Sequence, residues 1–140
     1  SLVGKRLSLQ CSSMGKVLMA WRAEEDARAI LSRTSPLRYT SRAILDLDEF
    51  IRHLDMVREH GFALDALENT EDIFCVAAPV FSAQQDAAVG AISVSVPYAQ
   101  MDDELFQKVC RRTHAASSEL SARLGAAGYP ALRAMAYPEL

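Results

Sequence analysis

Cysteine is scarce in this chain. Its three residues, Cys11, Cys75 and Cys110, are odd in number and widely spaced, which leaves neither a disulfide framework nor a CxxC zinc or redox motif, so free thiols are expected. Charge of one sign is lacking too: fifteen Lys and Arg against eighteen Asp and Glu leave a formal charge of −3. Both signs are scattered, and the basic footprint of a phosphate-gripping surface is not there. The longest apolar runs, Phe74–Phe81 and Ala87–Ile92, fall far short of the roughly 20 residues that cross a bilayer. Lys5, Arg6, Gln10, Ser12 and Ser13 interrupt the start, where a signal peptide needs an apolar stretch. A soluble, cytoplasmic protein with no membrane partner is therefore expected. The first residue is Ser1 rather than Met, so an upstream part of the gene product is expected to have been removed or left out.

Repeats, low-complexity tracts and Gly/Ser linkers are missing from residues 1–125, which read as one folding unit. What is present is a 140-residue chain, 50% hydrophobic, enough for one sizeable core without metals or disulfides. Ser12 and Ser13 can cap a short apolar helix, Met14–Ala20. Glu24, Glu25 and Asp26 open a second helix with an acidic first turn, and Ser35-Pro36 is expected to end it. Asp46 and Glu49 form a capping-box-like start to a third helix, whose apolar positions Leu47, Phe50, Ile51, Leu54 and Val57 run until Gly61. Phe62–Asp65 is short and extended. Asp102 caps a long last helix whose buried stripe is expected to be Leu105, Phe106, Val109, Cys110, Ala116, Leu120 and Leu124.

Between these helices, Ile73–Phe81 and Val89–Val96 are β-branched, apolar segments joined by the polar stretch 82–86, as an antiparallel hairpin requires. Alternation puts Ile73, Cys75, Ala77 and Pro79 on one face, with Phe74, Val76, Ala78 and Val80 on the other. In the second strand Ala88, Gly90, Ile92, Val94 and Val96 form an apolar face and leave Ser93 and Ser95 opposite. Centring the hairpin on Gln84 places Cys75 across from Ser93, with Ser95 one step further along the same face. Three small polarisable side chains then converge.

Gly15-Lys16-x-Leu18-x-Ala20, Gly61-Phe62-x-x-Asp65, Cys75–Phe81 (CVAAPVF) and Ala91–Ser95 with Pro97 (AISVSxP) occur in this order. From about Gly4 to Leu124 the chain resembles the effector-binding domain of the IclR family of bacterial transcriptional regulators. The resemblance implies an α+β, GAF-like domain, a curved antiparallel sheet flanked by helices around a small-molecule pocket, at residues 1–125, with 126–140 as a tail of unreadable role. It implies a winged helix-turn-helix upstream, the only route to DNA, and first elements of the domain that precede Gly4. It also implies self-association as a dimer or tetramer and an effector contacted by Ser13, Met14, Asp65, Cys75, Ser93 and Ser95. The chain departs from the family's habit at Ser8 and Gln10, where Pro and His are frequent, at Ser13 and Met14, where small residues are, and at Asp72, where Gly is. Met14 should narrow the pocket and Asp72 should add a carboxylate near its rim.

Each of these residues has a plainer reading. Cys75 is a pocket wall or a small core residue, with a catalytic nucleophile a lesser alternative, since His53, His60 and His114 all fall on helices and none pairs with it. Ser93 and Ser95 are a polar pocket floor or a solvent face. Asp65 is a functional carboxylate or a turn former. The Ser12/Ser13 helix start is a cap, and becomes an anion site only where its free N–H groups face a cavity. Lys108, Arg111, Arg112 and Arg123 read as a solvated face. The cysteines and histidines have no ligand spacing, so no metal and no cofactor is expected. The expected function is sensing of a small hydroxy, keto or aromatic carboxylic acid, without catalysis. The rivals are a GAF-like thiol enzyme of the methionine sulfoxide reductase type using Cys75, and a ligand-free dimerisation domain.

Overall fold

The computed structural model describes residues 3–140. Its elements are α1 (Ser13–Ala20), α2 (Glu24–Ser32), α3 (Leu47–His60), β1 (Ala63–Ala66), β2 (Ile73–Ser82), β3 (Gln85–Pro97) and α4 (Asp103–Arg123), with a short 3-10 turn, Tyr98–Gln100, before α4. The strands form an antiparallel sheet in the order β1-β2-β3. This is the α+β architecture expected.

Local chemistry accounts for the helix boundaries. Ser12 Oγ accepts from Gly15 N at 3.0 Å, Asp46 Oδ1 from Glu49 N at 2.8 Å, and Asp102 Oδ1 from Leu105 N at 2.7 Å, each side chain satisfying an otherwise orphaned first-turn donor. Gly61 ends α3 with φ 81°, a conformation that costs a residue without Cβ little. Helix α2 stops at Ser32, before the Ser35-Pro36 expected: Arg33 N turns back to Ile30 O, and Thr34 Oγ1 donates to Leu31 O at 2.8 Å.

The sheet separates two apolar clusters. Ala63 and Ala77 point towards α1, α2 and α3, where Val17, Leu31, Phe50 and Leu54 are buried. Phe74, Val76 and Ala78 point the other way, onto Phe106 and Cys110 of α4. The alternation read from β2 therefore holds.

Two further expectations are corrected. On α4 the buried residues after Cys110 are Thr113, Ser117 and Ser121, whereas Leu120 and Leu124 are exposed and Ala116 lies outward. The reason is close approach: Ser121 Oγ accepts from Phe81 N at 2.9 Å while donating to Ser117 O, and Ser117 Oγ reaches Ala78 O at 3.4 Å. Small hydroxyl residues let helix and strand meet where leucines would hold them apart. Second, Cys75 pairs with Ser95, not Ser93, which lies across from Ala77. A bulge between Val80 and Ser82 places extra residues on β3 and slides the register by two.

Residues 126–140 contain no helix or strand, yet they lie against the body as an extended strap. Arg133 N donates to His60 O at 3.1 Å, His60 Nδ1 donates to Arg133 O at 2.7 Å, and Gln107 Nε2 reaches Met135 O at 2.8 Å. Tyr137 packs on Phe74 and Phe106, with ring centroids 6.0 and 5.2 Å away.

Candidate functional site

The N-terminus of α1 lies over the sheet face that carries Cys75. Gly15 permits this: a Cβ there would sit 2.3 Å from the backbone oxygen of Leu9, so the segment leading into α1 can fold tightly beneath the helix. Ser13 Oγ thereby comes within 3.4 Å of Ser93 Oγ on β3. On the same face Asp65, Cys75 and Ser95 stand in one row across the three strands, with Cys75 Sγ 3.2 Å from Ser95 Oγ.

These groups enclose a cavity of about 470 Å³, lined by Ser13, Met14, Asp65, Cys75, Ser93 and Ser95 among others. All six residues singled out in the sequence are there. The two-residue slip in register leaves this intact, because a shift by an even number keeps every side chain on its face. Leu7, Lys5 and Ile73 complete the apolar and cationic rim, and Asn69 and Thr70 close one end. None of these five is among the site residues expected from the sequence, although strand parity puts Ile73 on the face of Cys75, and the polar run Asn69–Asp72 soon after the Gly-Phe strand is a local signal for Asn69 and Thr70. Asp72, expected near the rim, is exposed and does not line the cavity. Its carbonyl accepts from Tyr98 N, which turns the loop outward there.

The cavity presents several polar groups that the protein leaves unmet or only partly met. Ser12 takes up Gly15 N through its side chain and Lys16 N through its carbonyl. The N–H groups of Ser13 and Met14 have no acceptor among the described residues, at the positive end of the helix. Thr70 Oγ1 is buried without a hydrogen-bond partner among the described residues. Asp65 is a turn former: Oδ1 accepts from Glu68 N at 2.8 Å and Asn69 N at 3.2 Å, while Oδ2 has no protein donor among the described residues and the residue lines the cavity. Burial pushes its carboxyl up to about 6 against those two hydrogen bonds, with the charge of Glu68 adding to the rise.

Cys75 is not set up as a nucleophile. Burial raises its thiol, opposed by the hydrogen bond from Ser95 and assisted by Asp65, so it stays protonated near neutrality. Cys110 is buried among the α4 cluster beyond the sheet, and Cys11 is fully buried with its thiol near Leu37 O. Among the described residues no group of three His, Cys, Asp or Glu side chains is arranged to hold a metal ion.

A three-stranded antiparallel sheet with helices on both faces and a cavity of mixed apolar and hydrogen-bonding lining under a helix N-terminus defines a small-molecule-binding α+β domain. The chain belongs to the IclR family: residues 1–122 match the C-terminal domain of bacterial IclR transcriptional regulators, the effector-binding part of such proteins. It is 33% identical over 130 residues to the transcriptional regulator KdgR of Escherichia coli, covering 93% of this chain and 49% of that protein. The chain thus spans about half the length of the curated relatives it matches. The crystal structure of the C-terminal domain of E. coli KdgR is similar at a TM-score of 0.82 and 32% identity, over 88% of this chain and 74% of that one. The inducer-binding domain of PobR from Acinetobacter, a double mutant in complex with 3-hydroxybenzoic acid, is similar at 0.76 and 25% identity, over 84% and 67%. These relatives are transcriptional regulators rather than enzymes. Among the described residues no helix is long and apolar enough to cross a membrane.

Proposed function

We propose that this chain is the sensing part of a cytoplasmic IclR-type transcriptional regulator and that its cavity binds a small hydroxy, keto or aromatic carboxylic acid reversibly, without chemistry. The observation that carries this reading is the meeting, in one cavity of about 470 Å³, of the free Ser13 and Met14 N–H groups with the Ser93 and Ser95 hydroxyls and the Asp65 carboxyl. The N–H groups suit the ligand's carboxylate, and Asp65 suits its hydroxyl. The 3-hydroxybenzoic acid held by the PobR relative has both groups, which supports the class of ligand. Residues 1–125 form the binding unit. Occupancy is passed to a winged helix-turn-helix upstream through altered geometry of a dimer or tetramer, which requires the acid to favour one state by on the order of 1–3 kcal/mol.

A thermal-shift screen of small carboxylic acids, each beside its primary amide, tests the reading. An acid at about 100 times its dissociation constant adds about 2.7 kcal/mol of stability. The acid should raise the melting temperature and the amide should not. Equal shifts from both, or none across the panel, would refute a carboxylate site. The thiol-enzyme alternative has no supporting observation: it needs an ionised Cys75 and a resolving partner, and the thiol is raised while Cys110 faces the other side of the sheet.

A further inference from the structure

A second cavity, of about 250 Å³, lies off the free edge of β1, between α3 and the C-terminal strap. Its walls are Met56, Phe62 and Leu64, its roof is Met135 and Pro138 of the strap, and His53 contributes from α3. Lys16 and Glu68 form its polar end, but they are spent on each other. Lys16 Nζ donates to both Glu68 carboxylate oxygens and to Leu64 O, each at 2.7 Å, and Glu68 Oε2 also accepts from Ala66 N at 3.0 Å. The pair covers the unpaired edge of β1 and cancels its own charge.

One polar atom of this cavity is left over: His53 Nε2 is buried with no hydrogen-bond partner among the described residues. Burial, helped by the Lys16 ammonium, pushes this imidazole down to about 4, so the ring is neutral at physiological pH and carries one donor and one acceptor nitrogen. Leaving such an atom unmet in an apolar enclosure is unfavourable. A hydroxyl can satisfy it in either tautomer, since it both donates and accepts. The size is right for one ring: cavities near 150 Å³ hold benzene.

We infer that the strap-covered cavity is a second ligand site, distinct from the acid cavity, which takes a small neutral, mainly apolar alcohol or phenol whose hydroxyl bonds to His53 Nε2. An anion gains nothing there, because the Lys16 charge is already matched. The strap makes the site: its backbone is tied to His60 and Gln107, which holds Met135 and Pro138 over the opening. The two cavities share the Asp65–Asn69 turn, with Asp65 lining one and Glu68 the other.

The chain's five methionines make the test direct, because Met56 and Met135 line this cavity while Met14 lines the acid cavity. Phenol is titrated into the full chain, and the isotope-labelled methionine methyl signals are followed by NMR. The expected result is a saturable shift of Met56 and Met135 with Met14 unmoved. In His53→Leu the dissociation constant should rise about tenfold. If that variant fails to fold, Ala136→Leu, a substitution on the exposed roof, should weaken binding instead. No saturable shift by about 10 mM phenol, a shift confined to Met14, or unchanged affinity in a folded His53→Leu would overturn the assignment. None of these outcomes bears on whether the other cavity binds acids.

Discussion

Ser13 and Ser93 face each other with hydroxyl oxygens 3.4 Å apart, one on the first turn of α1 and the other on the central stretch of β3. This contact brings the helix N-terminus onto the sheet face that carries Cys75 and Ser95. A ligand carboxylate bound at the α1 N–H groups lies beside the Ser93 hydroxyl. Ser93→Ala is accordingly expected to leave the fold intact and to weaken acid binding by about 0.5–3 kcal/mol, the larger end applying to a charged ligand. Isothermal titration checks this, and an unaltered affinity would remove Ser93 from the site.

Asp65 separates two ways of holding the ligand. Asp65→Asn keeps the shape and the acceptor for the turn, but replaces a pure acceptor by an amide that also donates. Where a ligand hydroxyl donates to Asp65, affinity should fall; where a carboxylate is crowded by it, affinity should rise. Comparing a hydroxy acid with its deoxy counterpart on both proteins distinguishes the cases.

The same substitution has a pH signature in the ligand-free domain. The folded carboxyl sits near 6 against 3.8 for the free group, so the folded state binds more protons than the unfolded state between those values. The stability this group contributes is fully present below the unfolded value and is lost as the pH rises through about 6. Asp65→Asn should thus stabilise the domain near pH 8 by on the order of 1–2 kcal/mol, discounted for a cavity that admits water, and change it little near pH 4. Urea unfolding at the two pH values is the check; equal destabilisation at both would contradict the raised carboxyl.

Gly15→Ala attacks the site through the backbone. The new Cβ would meet Leu9 O at 2.3 Å, which forces the segment under α1 outward at a cost of about 1–3 kcal/mol. Both thermal stability and acid binding should drop together. A variant as stable as the parent would mean that this segment yields without strain.

Lys16 and Glu68 form a buried ion pair, with side chains 1% and 5% exposed. Lys16→Met strands the carboxylate and should cost about 3–5 kcal/mol, whereas combining it with Glu68→Leu should recover most of that. Chemical denaturation of the single and double variants decides; equal losses in both would assign the cost to packing.

Legibility in the sequence followed the physics of each element. Strand parity was readable because a two-residue period survives an even register error, so Cys75, Ser93 and Ser95 were placed on one face even though the bulge near Val80 was not foreseen. Helix caps at Ser12, Asp46 and Asp102 were readable because they are local. The inner face of α4 was not, since hydropathy favours Leu120 over Ser117, and only the closeness of helix to strand makes the serine the buried one. Burial of Lys16 was equally hidden: its partner Glu68 is fifty-two residues away, and nothing local marks the two as a pair. The strap lacks periodicity altogether, so its docking rests on long-range contacts to His60 and Gln107.

On the proposed function, one cavity takes an organic acid by its carboxylate at the start of α1. Its most direct test is a crystal structure of this chain with the tightest-binding acid of the thermal-shift panel. The carboxylate is expected within hydrogen-bond distance of Ser13 N and Met14 N, with Ser93 and Ser95 hydroxyls beside the ligand and its hydroxyl turned to Asp65. An acid seated elsewhere, or seated here with its carboxylate away from α1, would contradict it.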